Sequence, residues 1–177
     1  MQPLSSIPAG LAAQYPVWLP LQVRYRDLDP LAHVNNAVYL SYLELARVTY
    51  VEQRIGPISP QNYTFVIARL EIDFLAPLHL GDEPAVGIKP LRVGRSSFTF
   101  GYCLVDTRSA RAVARAQSVQ VFFDPATGKA RPLPAAWRAP MEADLRRFRA
   151  DNPCAPLADE RASEADAADR GSRSTTG

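Results

Sequence analysis

From Ala37 to Arg54 the chain carries no Gly and no Pro. Val38, Leu40, Leu43, Leu45, Ala46, Val48 and Val51 are spread round nearly every side of a helix drawn through this stretch. A helix that is apolar on most faces must be buried. Asn35 or Asn36 can cap its start, because a short amide side chain accepts a bond from an orphan backbone N–H. Gly56-Pro57 ends it. One long helix that has to be enclosed is the strongest constraint on what this chain can fold into.

What encloses it reads as strands. LQVRYRD (21–27) alternates apolar and polar residues before the helix. After it, TFVIARLEIDF (64–74) sets Val66, Ala68, Leu70, Ile72 and Phe74 against Arg69, Glu71 and Asp73, the clearest period-2 pattern in the chain. AVGIKPLRV (85–93) is a weaker strand, in which Pro90 removes a ladder donor and argues for an edge or a bulge. SSFTFGYCLVD (96–106) alternates Phe98, Phe100, Tyr102 and Leu104 with small residues, and RAVARAQSVQVFFD (111–124) follows a turn at Thr107–Ala110. Pro134 opens a short terminal helix reaching about Arg149. The expectation is an α+β fold, in which about five antiparallel strands form one sheet curled round the long helix. Residues 1–17 read as a flexible arm, 18–150 as the folded domain, and 151–177, poor in anything to bury, as a disordered tail.

Composition narrows the function classes. Apolar content of 47% and charged content of 21% over 177 residues suit one globular domain. Of the 20 basic and 18 acidic residues, three and six fall in 151–177, leaving 17 against 12, a net of +5, for residues 1–150. This bias reads either as an ordinary solvated surface with a mildly acidic tail or as a domain that favours an anionic ligand such as a phosphorylated cofactor. The domain lacks the clustered lysines of a nucleic-acid binder. Apolar runs fall short of a membrane span, and the first residues lack the pattern of a secretory signal. Cys103 and Cys154 form neither a CxxC motif nor a disulfide framework. A cytoplasmic protein is expected, with Cys103 as a small core residue.

The chemistry concentrates where the first strand pattern meets the helix, in VRYRDLDPLAHVNNAVYLSYLELAR (23–47). Asp27 either ends the strand in solvent or pairs with Arg24 or Arg26. Asp29 precedes Pro30, a common turn opener; alternatively its carboxylate faces the helix start. A helix N-terminus presents orphan N–H groups and a partial positive charge. Such groups stabilise a carbonyl oxygen that turns negative in a transition state. A carboxylate beside them can attack that carbonyl or activate water. The pair suits an activated acyl group, above all a thioester, whose thiolate leaves without strong acid. His33 is either held by loop backbone or orients Asp29 or the acyl group. Glu44 lies about 80° round the helix axis from Asn36. It pairs with Arg47 three residues on, or reaches the cleft from its flank. His33 and His79 stand apart, with no metal-ligand spacing, so no metal is expected.

The 23–47 stretch closely resembles the 4-hydroxybenzoyl-CoA thioesterase-type branch of the hotdog-fold acyl-CoA thioesterases, whose motif runs from an aspartate through a short loop to HVNN and a Tyr-containing helix ending E-x-A-R. The resemblance covers roughly residues 20–140 and includes V-G-R-S-S-F-x-F at 93–100. It implies a long helix wrapped by a curved antiparallel sheet, in homodimers or homotetramers with active sites at the subunit interface. By position it makes Asp29 the catalytic aspartate and the Asn36 N–H the polarising donor. It sets Glu44 where another branch carries its carboxylate, and Arg95, Ser96 and Ser97 where relatives contact CoA or the partner subunit. Hydrolysis of acyl-CoA is the leading expectation, with no cofactor beyond the CoA of the substrate. Acyl-carrier-protein thioester hydrolysis and non-catalytic acyl-CoA binding are the alternatives.

Overall fold

The computed structural model describes residues 7, 9–59 and 63–148. In chain order these form α1 (Ala9–Ala12), β1 (Val17–Pro20), a 3-10 turn (Tyr25–Asp27), α2 (Asn36–Arg54), β2 (Phe65–Phe74), β3 (Pro84–Val93), β4 (Ser97–Asp106), β5 (Arg111–Phe122) and α3 (Ala135–Arg147). The five strands make one antiparallel sheet in the order β1-β3-β4-β5-β2. The tail from 151, the end of α3 expected near Arg149 and the first six residues of the arm lie outside the described residues.

β4 shows how side-chain alternation builds the molecule. Phe98, Phe100, Tyr102 and Leu104 point into the main core, where Leu43, Ala46, Tyr50 and Val51 of α2 meet them. Cys103 and Val105, on the opposite face, are buried in a second cluster with Ile7, Leu11, Tyr15 and Trp18. The described part of the expected flexible arm is therefore packed against the sheet: Leu11, Tyr15 and Trp18 have apolar surface to bury and find it over β3 and β4. Gly87 of β3 makes room for them, since a Cβ there would lie 2.8 Å from the Trp18 ring and 2.9 Å from that of Tyr15. Cys103 is not a free thiol, so a plain core residue is an incomplete reading of it.

Three sequence patterns resolve differently from expectation. The first strand is Val17–Pro20, not 21–27. The Asp27 carboxylate accepts the Arg24 N–H at 2.9 Å, and Asp27 N–H donates to the Arg24 carbonyl, which curls the chain into a turn where alternation suggested a strand. α2 is not enclosed on all sides either. Tyr39, Tyr42, Leu43, Ala46, Arg47, Tyr50 and Val51 face the core, while Leu40 and Leu45 are exposed. The alternation over 64–74 likewise gives an edge strand with Val66, Ile67 and Phe74 exposed. Pro90 does sit at a bulge, beyond the last β3 residue paired with β1, where no ladder donor is needed.

α3 closes one end of the core. Trp137 stacks edge-on with Phe122 and Phe65, and Asp144 is buried against α2. There it accepts from the Tyr50 hydroxyl at 2.8 Å and from Arg54 Nε at 2.9 Å. Burial first, then the Asp144 charge, pushes the Tyr50 phenol far above its ordinary range. No helix among the described residues is long and apolar enough to cross a membrane.

Candidate active site

The loop between the 3-10 turn and α2 is bound on several sides. Asn35 N–H donates to the Asp27 carbonyl at 2.8 Å, Val34 N–H to the Leu78 carbonyl at 2.8 Å, and Asp29 N–H to the His33 carbonyl at 2.8 Å. Leu28 pairs with Val34, and His33 with His79, as single β-bridges. Ala32 takes a φ of +59°, in the left-handed region, to make this tight return.

The loop gives the two aspartates opposite duties. Asp27 Oδ2 is occupied by Arg24 N–H and by the Tyr42 hydroxyl at 3.2 Å. Burial and the Asp27 charge raise the Tyr42 phenol well above its usual value. Asp29 receives both its bonds on one oxygen, Oδ1, from Leu31 N–H at 2.8 Å and His33 N–H at 3.2 Å. Its Oδ2 has no donor among the described residues. The amides fix the carboxylate plane and leave the second oxygen available.

Asn35 is the cap of α2, its Oδ1 accepting the Ala37 N–H at 2.9 Å, and Val38 N–H bonds the Asn35 carbonyl at 2.8 Å. Asn36, the first residue of the helix, keeps a backbone N–H with no acceptor among the described residues, at the positive end of a 19-residue helix. Asp29, His33 and Asn36 line one cavity of about 380 Å³ with Leu31, Tyr39 and the Phe74–Pro77 segment. Tyr39 packs edge-on against Phe74, with ring centroids 5.1 Å apart.

The remaining expected residues are not brought to this cavity. Glu44 is exposed, about 12 Å along the helix axis from Asn36. Nor does it pair with Arg47, whose buried guanidinium turns inward to the Tyr102 hydroxyl at 3.4 Å. Arg95 is exposed, with Ser96 and Ser97 half-buried, at the other end of the sheet. Phe74 at the cavity lies opposite Ala114, which lies opposite Leu104. From Leu104 back to Ser97 the strand runs about 23 Å.

Sequence reasoning missed His79, Tyr39 and Phe74. His79 does not stand apart from His33: the two rings meet edge to face, 4.9 Å between centroids. No local signal marks a contact between residues so far apart in the chain. Among the described residues, no group of three or more His, Cys, Asp or Glu side chains is arranged to hold a metal ion.

A family model described as the thioesterase-like superfamily matches residues 23–141, from before the 3-10 turn into α3. The chain belongs to that superfamily. Its sheet and central helix are the hotdog fold of solved thioesterases. A thioesterase from Thermus thermophilus, crystallised in complex with coenzyme A and Zn, is 43% identical, with a TM-score of 0.67 over 73% of this chain and 94% of that one. A 1,4-dihydroxy-2-naphthoyl-CoA thioesterase from Synechocystis is 26% identical, with a TM-score of 0.66 over 73% of this chain and 96% of that one. Among curated relatives, an acyl-acyl carrier protein thioesterase of Arabidopsis thaliana is 26% identical over 59% of this superfamily member and 56% of its own length. A 1,4-dihydroxy-2-naphthoyl-CoA hydrolase of Synechocystis is 31% identical over 46% and 59%. The chain thus spans a little over half the length of these curated relatives.

Proposed function

We propose that the protein hydrolyses acyl-CoA thioesters to free acid and CoA in the Asp29 cavity. The observation that supports this reading is that Asp29, with its Oδ2 open, and Asn36, with its N–H unpaired among the described residues, line the same cavity. With the thioester oxygen at that N–H, the charge that develops during attack meets the positive end of α2. As nucleophile, Oδ2 bonds to the carbonyl carbon and the C–S bond breaks, giving a mixed anhydride and CoA thiolate; water then cleaves the anhydride and regenerates Asp29. As general base, Asp29 takes a proton from the attacking water instead. His33 serves the site through its backbone, and neither route needs a cofactor.

The similarity to the Arabidopsis protein favours a second donor, an acyl group on a carrier protein, because both donors end in the same phosphopantetheine arm. A cytoplasmic homodimer or homotetramer fits the reading. Arg95, Ser96 and Ser97 lie about 23 Å along β4 from the cavity of their own chain, and a neighbouring copy would be a second route by which such a set meets the CoA end of the ligand. The long edge of β2, with Val66 and Ile67 exposed, offers a surface for such a copy. The test is thiol release from a panel of acyl-CoAs and acyl-carrier proteins. Wild type turns over at least one acyl-CoA, and Asp29→Asn loses about 10²- to 10⁴-fold in kcat. Full activity in the variant, or no release from any acyl-CoA by wild type, rules the proposal out.

A further inference from the structure

The β2–β3 connection lies against the Asp29 loop through a chain of contacts from β5. Arg111, the first residue of β5, donates from Nη2 to the Pro77 carbonyl at 2.9 Å, and the same nitrogen lies 3.6 Å from Asp82 Oδ2. That Asp82 oxygen accepts the His79 N–H at 2.8 Å and lies 3.6 Å from His79 Nδ1. Asp82 N–H returns to the His79 carbonyl at 3.2 Å, closing a small ring of bonds that fixes where the His79 side chain leaves the backbone. The His79 ring then meets His33 edge to face, and Leu78 takes the Val34 N–H. His33 is the residue whose N–H and carbonyl both bond Asp29.

From this we infer that His79, held by Asp82 and Arg111, is a positioning residue that sets the Asp29 carboxylate through His33. The inference rests on the thioesterase reading of the cavity. His79 needs no contact with substrate. Its ring limits the sideways freedom of His33, and His33 N–H is one of only two described donors that fix the plane of Asp29. An aspartate left to rotate presents Oδ2 to the thioester less often, which costs turnover more than binding.

His79→Ala therefore lowers kcat about tenfold with KM within about twofold, as expected for a misplaced reacting group. His79→Phe, which keeps a ring edge against His33, recovers most of that loss. Asp82→Ala behaves like His79→Ala. Hydrogen exchange supplies a readout that does not depend on turnover: the Leu31 and His33 amides lose protection in His79→Ala and regain it in His79→Phe, while β4 amides such as that of Phe100 are unchanged. An unchanged kcat in His79→Ala, a loss confined to KM, or a Phe variant no better than Ala overturns the inference. If wild type hydrolyses no acyl-CoA, the thioesterase reading fails and the exchange experiment alone decides the contact: unchanged Leu31 and His33 amides overturn it too.

Discussion

Two neighbouring aspartates and two neighbouring asparagines in one loop divide their work by hydrogen-bond geometry. Asp27 and Asn35 hold the chain; Asp29 and Asn36 face the cavity. The role of Asn36 is a backbone property, so the informative substitution is Asn36→Pro. Proline is tolerated at the first position of a helix, and Asn35, at φ −57° and ψ 135°, already has the conformation that precedes a proline. Losing the N–H is expected to cost about 10²-fold in kcat relative to Asn36→Ala, which removes the side chain alone. Thermal unfolding should move by no more than a few degrees, and a variant with wild-type kcat would exclude the Asn36 N–H as donor. The sequence made this site readable in part. A carboxylate within a short loop of a helix start is local information, and it led to Asp29. It could not assign the cap between Asn35 and Asn36, which depends on where Asp27 binds the Asn35 N–H. It also could not anticipate His79, because that contact is made by the fold.

Among the elements, α3 and the β4–β5 turn depend on buried carboxylates. Asp144→Ala leaves the Tyr50 hydroxyl without its acceptor and Arg54, itself partly exposed, without its charge partner. About 2–4 kcal/mol of stability should be lost, readable as a lower urea midpoint; a midpoint matching wild type would mean α3 is not held by this contact. Asp106 behaves differently. Burial alone would raise its carboxyl, but bonds from the Ser109 hydroxyl and the Glu83, Arg108 and Ser109 amides outweigh that and hold it below the usual range. A folded value below the unfolded one adds stability above the unfolded value, about pH 4, and that stability is lost as pH falls through the folded value. Asp106→Asn should therefore trail wild type at pH 7, and the gap should narrow as the pH falls below about 4 in urea titrations. A constant gap would assign the effect to packing alone. The strands from β2 to β5 were legible because a two-residue period survives whatever lies on each face. β1 was not, since Val17–Pro20 is short and the better alternation next to it is consumed by the Asp27 turn.

For the whole molecule, the faces left uncovered matter as much as the core. β2 is an edge with apolar residues in solvent, whereas Ile7, Leu11, Tyr15 and Trp18 cover the opposite face of β3 and β4 at Ala85, Cys103 and Val105. Apolar residues round α2 gave the impression of a helix enclosed by its own chain, but Leu40 and Leu45 are exposed; the pattern of one helix does not say how far the sheet reaches round it. Ile67→Glu, on that edge, is expected to shift the sedimenting species to a monomer and to lower thioester turnover together. An unchanged sedimentation coefficient would rule this edge out as an interface between copies. Gly87→Ala, by crowding Trp18 and Tyr15, should loosen the start of the chain while leaving the Asp29 cavity intact, visible as faster proteolysis near residue 15 without loss of kcat. β4, covered by α2 on one side and by this early segment at Cys103 and Val105 on the other, has little solvent to breathe into over that half of its length. It acts as a strut of fixed length between the cavity and the Arg95 turn. Any pairing that carries one copy's Arg95 to another's Asp29 inherits that fixed length. The span available to a ligand is then set by how two rigid bodies are joined, and a substitution that slides the joint by one residue pair would change which ligand fits without touching a residue that contacts it.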